Sequence, residues 1–413
     1  MSEGPVGALY LHVPLCRARC RYCDFCSRPS PEGDPARAAC ADALLADLAA
    51  AGEAGLLAGV RTAYVGGGTP SLLGTAALAR LASAVRERCP RVSELTVEAN
   101  PESLAEGMPE ALADAGATRL SLGVQSLDDA ELAALGRVHD AACARRALRR
   151  AAAAGLDVSA DVMCAIPLQT ERSLRATLAG VLACGAGHVS VYPLQLEEGT
   201  ELERMVGAGE AEVADADGQA RLMEAACDEL SRAGLRRYEV ASYALPGREC
   251  RHNEAYWTGV PDLGLGASAA SMLDAEAYRL ARGLVPRLPE APADAARVRL
   301  VRLPAADPAR VAPMAEAGYD LEFLDARQAA AEDLMLAARM SAPLPAGLLA
   351  RAAGAVGEGE LSAALGRLVA RGLLDGGLAP THDGWLLGNE LYGELWGLAG
   401  SPTAEARVGA AGL

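Results

Sequence analysis

Leu9-Tyr10-Leu11-His12-Val13-Pro14-Leu15-Cys16, followed by Cys20, Tyr22, Cys23, Asp24 and Phe25, sets the terms for the rest of the chain. The apolar run from Leu9 to Val13 reads as a buried strand. In the loop after it, Cys16, Cys20 and Cys23 stand in C-x3-C-x2-C spacing. Three thiolates fit three corners of a cubane iron–sulfur cluster and leave its fourth iron open to a substrate or cofactor. The same spacing admits a zinc site, with Cys26 or His12 as fourth ligand, or three unrelated buried cysteines. A disulfide suits an intracellular chain poorly.

Composition narrows the class. At 413 residues, 51% of them hydrophobic, the chain can form two domains, one of them a barrel. Aromatics are scarce, every basic residue is Arg, and heavy use of Ala and Gly fills the core. A net charge of −16 argues against a nonspecific nucleic-acid binder. No signal segment and no apolar run of membrane-spanning length is visible. Eleven scattered cysteines, an odd number, do not form a disulfide framework, so a cytoplasmic location is expected. Cys40, Cys89, Cys143, Cys164, Cys184 and Cys227 are expected to pack as small apolar residues.

Short apolar runs alternate with Ala/Leu/Arg/Glu-rich helical stretches. Strands are expected at Leu9–Val13, Thr62–Val65, Leu95–Val97, Arg119–Leu122, Val158–Met163 and His188–Tyr192. Helices are expected between them, at Ala36–Ala51, Thr75–Arg88, Ser103–Ala115, Asp140–Ala154 and Thr170–Cys184. Six β–α units with near-continuous apolar strands imply an α/β fold, a parallel sheet covered by helices and rolled into part of a barrel. Reactive residues in such a fold gather at the C-terminal ends of strands.

The polar residues at those ends form a pattern. Gly66-Gly67-Gly68-Thr69-Pro70 follows the second strand. Its glycines let backbone approach a ligand closely, although such a run is more often a plain turn, and it lacks the spacing of a dinucleotide fingerprint. Glu98 at the third strand can pair with an ammonium or simply be solvated. Gln125 can bond ribose, and Arg137 can clamp a carboxylate. Asp161, inside the apolar fifth strand, requires a partner. Together these groups describe a ligand with ammonium, carboxylate and ribose, all of which S-adenosylmethionine (SAM) carries.

Tyr10-x-His12-x-Pro14-x-Cys16, Tyr22-Cys23-Asp24-Phe25, the GGGTP loop and Gly123-Val124-Gln125-Ser126-Leu127-Asp128 through Arg137-Val138-His139 resemble the radical SAM proteins, in the branch of HemW and anaerobic coproporphyrinogen III oxidase. The resemblance implies a partial (β/α)6 radical SAM barrel with a smaller, mainly helical C-terminal domain. It implies a [4Fe-4S] cluster on Cys16, Cys20 and Cys23, with SAM on the open iron. Tyr10, Tyr22, Gly67, Gly68, Thr69, Glu98, Gln125, Arg137 and Asp161 fall at SAM contacts. One departure is visible: Ala165-Ile166-Pro167-Leu168-Gln169-Thr170 stands where the family has Gly-Leu-Pro-Gly-Gln-Thr. Two side chains replacing glycines there are expected to reshape the pocket wall.

In the second half, His252-Asn253-Glu254-Ala255-Tyr256-Trp257 carries most information. A His can ligate heme iron and aromatics can cover a porphyrin face; a His closing a core turn, with Tyr and Trp as packing, is the plainer reading. The string resembles the HNxxYW signature of HemW proteins, which implies a heme contact at His252, with Cys250 a lesser candidate. The run Gly264-Leu265-Gly266-Ala267-Ser268-Ala269-Ala270 departs from the family in lacking a His. Residues 284–313 resist assignment. Helices are expected around Asp215–Ala233, Asp325–Met340, Leu361–Arg371 and Asn389–Trp396, with a small β wing formed by 372–377 and 378–387.

The expected division is 1–242 as barrel, 243–290 as a connecting segment with the heme motif, and 291–413 as the C-terminal domain. The implied function is a heme chaperone that passes heme to an acceptor protein and takes electrons for its cluster from a donor. Nucleic acid is not a partner, and membrane contact arises only through the acceptor. No catalytic residue is assigned. The rival is an enzyme, oxygen-independent coproporphyrinogen III dehydrogenase. Against it stand the 15 residues before Cys16, where that enzyme has a longer extension, Phe25 where it has a fourth Cys, and the HNxxYW string. A third reading is a binding protein that keeps the cluster without cleaving SAM.

Overall fold

The computed structural model describes residues 4–410; the extreme ends of the expected segments 1–242 and 291–413 lie outside it. Six parallel strands form the centre: β1 (Ala8–Val13), β2 (Thr62–Gly67), β3 (Glu94–Ala99), β4 (Arg119–Gln125), β5 (Asp157–Cys164) and β6 (His188–Pro193), adjacent in that order. Each covers its expected stretch and runs slightly longer. Helices Ala36–Glu53, Thr75–Arg88, Ala141–Ala153 and Glu171–Ala183 cover the outer face. The helix expected at Ser103–Ala115 is shorter, Met108–Asp114, because Gly107 takes a left-handed φ of 74° just before it.

The strands are not uniformly apolar, as expected from the sequence, but alternate. In β3 the buried Leu95 and Val97 join Leu9, Leu11, Ala63 and Val65 in the core under the helices. Burying each such Leu or Val contributes roughly 1.5–3 kcal/mol. The opposite row carries Tyr10, Tyr64, Glu98, Ser121 and Asp161, which contact one another across strands. Successive side chains of a strand point to opposite faces, so the interior of the curved sheet is a polar lumen.

The sheet does not stop at six strands. β7 (Arg236–Arg237) and β8 (Ser242–Ala244) extend it beyond β6 with antiparallel pairing. On the other side β9 (Asp262–Leu265) pairs parallel with β1. β10 (Ala270–Leu273), β11 (Ala295–Arg302), β12 (Tyr319–Asp325) and β13 (Ala404–Val408) follow in antiparallel order, for thirteen strands in one sheet. The unassigned stretch 284–313 therefore contains β11. A buried ion pair, Arg302 Nη1 to Asp47 Oδ2 at 2.6 Å, ties β11 to helix Ala36–Glu53.

Helices Ala326–Ala337, Ala346–Val356, Glu358–Ala370 and Gly388–Trp396 pack around a second core that includes Leu334, Ala352, Leu368 and Leu391. The expected β wing at 372–387 is corrected to a single bridge, Leu374 to Pro380, and a short helix, His382–Leu386. Thr381 caps that helix by accepting from the Gly384 N–H, which favours a helical start over a second strand. Cys40, Cys89, Cys164 and Cys184 are buried in the core and the half-buried Cys227 packs against it, while Cys143 is half-buried. Among the described residues no helix is long and apolar enough to cross a membrane.

Candidate functional site

The cysteine loop leaves the C-terminal end of β1 and lies over the lumen. Cys16, Cys20, Cys23 and Cys26 are half-buried free thiols. Burial pushes the Cys16 thiol up and the Cys23 thiol up to about 11, so ligation has to displace protons there. A relay of side chains joins two of them. Thr69 Oγ1 donates to Cys16 Sγ at 3.6 Å and accepts from Asn100 Nδ2 at 3.0 Å. Asn100 Oδ1 accepts from Arg137 Nη2 at 2.8 Å, and Arg137 Nη1 donates to Cys20 Sγ at 3.3 Å. The ends of β2 and β3 and the turn after helix Asp129–Ala134 thus each contribute one group to hold the loop. Tyr22 anchors it on the other side against a small core of Leu135, Met163, Ile166, Leu194 and Leu202.

The glycines are required by proximity. A Cβ on Gly68 would stand 2.6 Å from the Leu15 carbonyl oxygen and 2.9 Å from Cys16 Sγ. Gly67 has φ 118°, and a Cβ there would meet the His12 ring at 2.9 Å. His12 is fully engaged: Nε2 donates to the Cys26 carbonyl at 3.0 Å, so Nδ1 accepts from the Tyr10 hydroxyl at 3.0 Å. It is therefore not poised as a zinc ligand. Among the described residues no three His, Cys, Asp or Glu side chains converge on a point suited to one metal ion.

Below the loop lie two half-buried carboxylates. Glu98 accepts from Tyr64 OH at 2.7 Å and from Gly67 N–H at 3.2 Å. Burial, partly offset by the Tyr64 bond, raises it to about 7. Asp161 accepts from Ser121 Oγ at 3.2 and 3.3 Å, and burial raises it to about 6. Neither makes an ion pair among the described residues. Burial, reinforced by the Glu98 charge, likewise pushes the Tyr10 hydroxyl up. Gln125 ends β4 at a left-handed φ of 64°, where the β4–β5 register shifts.

These features fit the implied groups. Thiols on one loop, a cradle with no room for a Cβ and two half-buried carboxylates beneath it suit a cluster carrying a cationic ligand. At the departure, Ala165 and Leu168 take φ values of 60° and 67°, the glycine-like region, and Leu168 is 70% exposed.

His252 lies elsewhere. Its helix, Arg251–Trp257, docks at the opposite mouth of the lumen, where Glu94 caps it by accepting from the Arg251 and His252 N–H groups at 3.0 and 2.9 Å. His252 Nδ1 is 3.2 Å from Oγ1 of Thr62, the first residue of β2. Thr62 and Gly67 are the two ends of one strand, roughly 16 Å apart at the usual rise. The Arg339 guanidinium lies over the Trp257 ring at 5.2 Å and over Tyr392 at 4.2 Å, which makes Trp257 a packing residue; Tyr256 is 52% exposed. Cys250 is buried, its thiol 3.5 Å from Glu94 Oε1 and pushed by burial up to about 12.

Sequence reasoning passed over Asn100, Tyr64, Thr62 and Glu94. Reading β2 and β3 at period two would have found three of them on the row of Gly66 and Glu98. Asn100 directly follows β3.

Residues 10–179 match the radical SAM superfamily. A heme chaperone HemW of Mycobacterium tuberculosis is 40% identical over 273 residues, 65% of this chain and 70% of that protein. A heme chaperone HemW of Bacillus subtilis is 28% identical over 402 residues, 94% of this chain and 98% of that protein. The solved structure of coproporphyrinogen III oxidase (HemN) from Escherichia coli, a radical SAM enzyme, superposes with a TM-score of 0.71 over 96% of this chain and 90% of that one. At 19% identity that likeness is one of fold.

Proposed function

The chain belongs to the HemW family of the radical SAM superfamily, and from that premise we propose that it is a heme chaperone. It binds heme, passes it to an acceptor protein, and carries a [4Fe-4S] cluster with SAM. The compartment is the cytoplasm, and an external protein supplies electrons. The division into residues 1–242, 243–290 and 291–413 belongs to this reading.

Cys16, Cys20 and Cys23 hold the cluster, which when bound supplies reducing electrons to SAM. Thr69, Asn100 and Arg137 fix the positions of Cys16 and Cys20. Gly67, Gly68 and Thr69 bring backbone against the ligand, and Glu98 receives its ammonium. Asp161, Gln125, Tyr10 and Tyr22 line the remaining contacts. Exclusion of water falls to the lumen walls and to the loop above.

The observation that carries heme binding is the setting of His252. Thr62 engages Nδ1 at 3.2 Å, and Nε2 makes no hydrogen bond in the described structure. A ring held at one nitrogen and open at the other is the arrangement of a metal-ligating histidine. His252→Ala is expected to weaken heme binding tenfold or more, about 1.4 kcal/mol or above, with the cluster spectrum unchanged. Equal affinity would remove His252 as the contact. A second experiment tests the activity itself: cluster-reconstituted protein, SAM, a reductant and coproporphyrinogen III are incubated without oxygen. No porphyrin product is expected; protoporphyrinogen at many turnovers would make the protein a decarboxylating enzyme instead.

A further inference from the structure

One side chain touches both the His252 ring and the carboxylate beneath the glycine loop. The Tyr64 ring stacks on His252, with centroids 5.1 Å apart and planes 30° apart, while its hydroxyl donates to Glu98 at 2.7 Å. Glu98 in turn accepts from Gly67 N–H beneath the cysteine loop. His252 is held by Thr62 through its ring and by Glu94 through its backbone. The HNxxYW helix and the glycine loop therefore meet through Tyr64, which contacts both the ring of one and the carboxylate of the other.

We propose that Tyr64 couples the two sites, so that heme at His252 and SAM at Glu98 each raise the affinity for the other. The inference rests on the heme and SAM contacts assigned above. Iron ligation at Nε2 keeps the remaining ring proton on Nδ1, makes Thr62 the acceptor and fixes the plane against which Tyr64 stacks. A fixed Tyr64 keeps its hydroxyl on Glu98, and donation to a carboxylate favours its ionised form. An ammonium group binds that form. Ordering shared by both ligands adds to the effect, since the second to bind orders less. Linkage requires the coupling to be reciprocal.

The test uses the full chain with its cluster reconstituted. Equilibrium dialysis gives the SAM dissociation constant with and without saturating hemin, and absorbance titration gives the hemin constant with and without SAM. The expected result is a factor of about five in each direction, at the low end of typical couplings, and the same factor both ways. In Tyr64→Phe, which keeps the ring and removes the hydroxyl, the factor falls to about one. Hemin affinity that survives His252→Ala would remove the heme contact and the coupling with it. Hemin binding that depends on His252, with a factor of one in the unaltered protein, would overturn the coupling alone.

Discussion

Acids in two regions of the molecule are treated differently. On the flank of the sheet, Asp47 meets Arg302 at 2.6 Å and accepts from the Met314 N–H at 2.8 Å. Asp333 is clamped by Arg297 at 2.5 and 3.0 Å. In the lumen, Glu98 and Asp161 have hydroxyl and amide donors and no ion pair among the described residues. The flank neutralises its charges internally and is scaffold. The lumen keeps two carboxylates raised toward neutral pH, which suits a site whose positive charge arrives with the ligand.

The sharpest way to break this contrast is to strip a flank acid of its partner. Arg302→Ala leaves Asp47 buried without its cation and is expected to destabilise the protein by about 3–5 kcal/mol in urea unfolding. A loss below about 1 kcal/mol would mean that the flank pair is no more integral than the lumen acids.

The lumen side is tested by pH. The folded Glu98 carboxyl, raised to about 7, holds its proton where the unfolded one has released it. The native state then binds more protons, so its stability falls as pH rises from about 4.5 to 7. The loss assigned to Glu98 is about 3 kcal/mol. Glu98→Gln should lack this component when unfolding free energies at pH 5 and pH 8 are compared without SAM. Parallel profiles for the two proteins would contradict an unneutralised Glu98.

A smaller effect is expected at the rim. Gly68→Ala forces a Cβ against Leu15 and Cys16 and should cost about 1–3 kcal/mol, with lower iron content after reconstitution. Unchanged iron and melting temperature would show that the cradle yields. The smallest effect has the opposite sign. Leu168→Gly relieves a left-handed, exposed residue and should stabilise by about 0.5–1 kcal/mol; a destabilisation in urea would indicate that the Leu168 side chain makes a contact of its own.

Local signals made much of this legible. The six central strands, their helices and the cysteine loop follow from apolar runs, turn residues and spacing. The lumen was hidden because the strands were read as near-continuous apolar runs, whereas Glu98 and Asp161 each belong to a polar row repeating every second residue. β11 was hidden because Arg302 occupies an inward position of the row Val298, Leu300, Arg302, where a distant Asp47 and the Ala312 carbonyl make an arginine tolerable. The contact of His252 with Tyr64 depends on a helix docking under a strand far away in sequence, and no local pattern encodes it.

The parallel pairing of β9 with β1 has a consequence for synthesis. β1 and the cysteine loop are translated some 250 residues before β9, and β2 can pair with β1 soon after it emerges. The other edge of β1 waits until Asp262–Leu265 has been translated. Through most of that interval the nascent sheet has an open parallel edge, the kind of surface on which chains associate wrongly. Closing it is a contact of large sequence separation and hence slow. A ribosome stalled before residue 262 would leave the edge beside the cysteine loop bare.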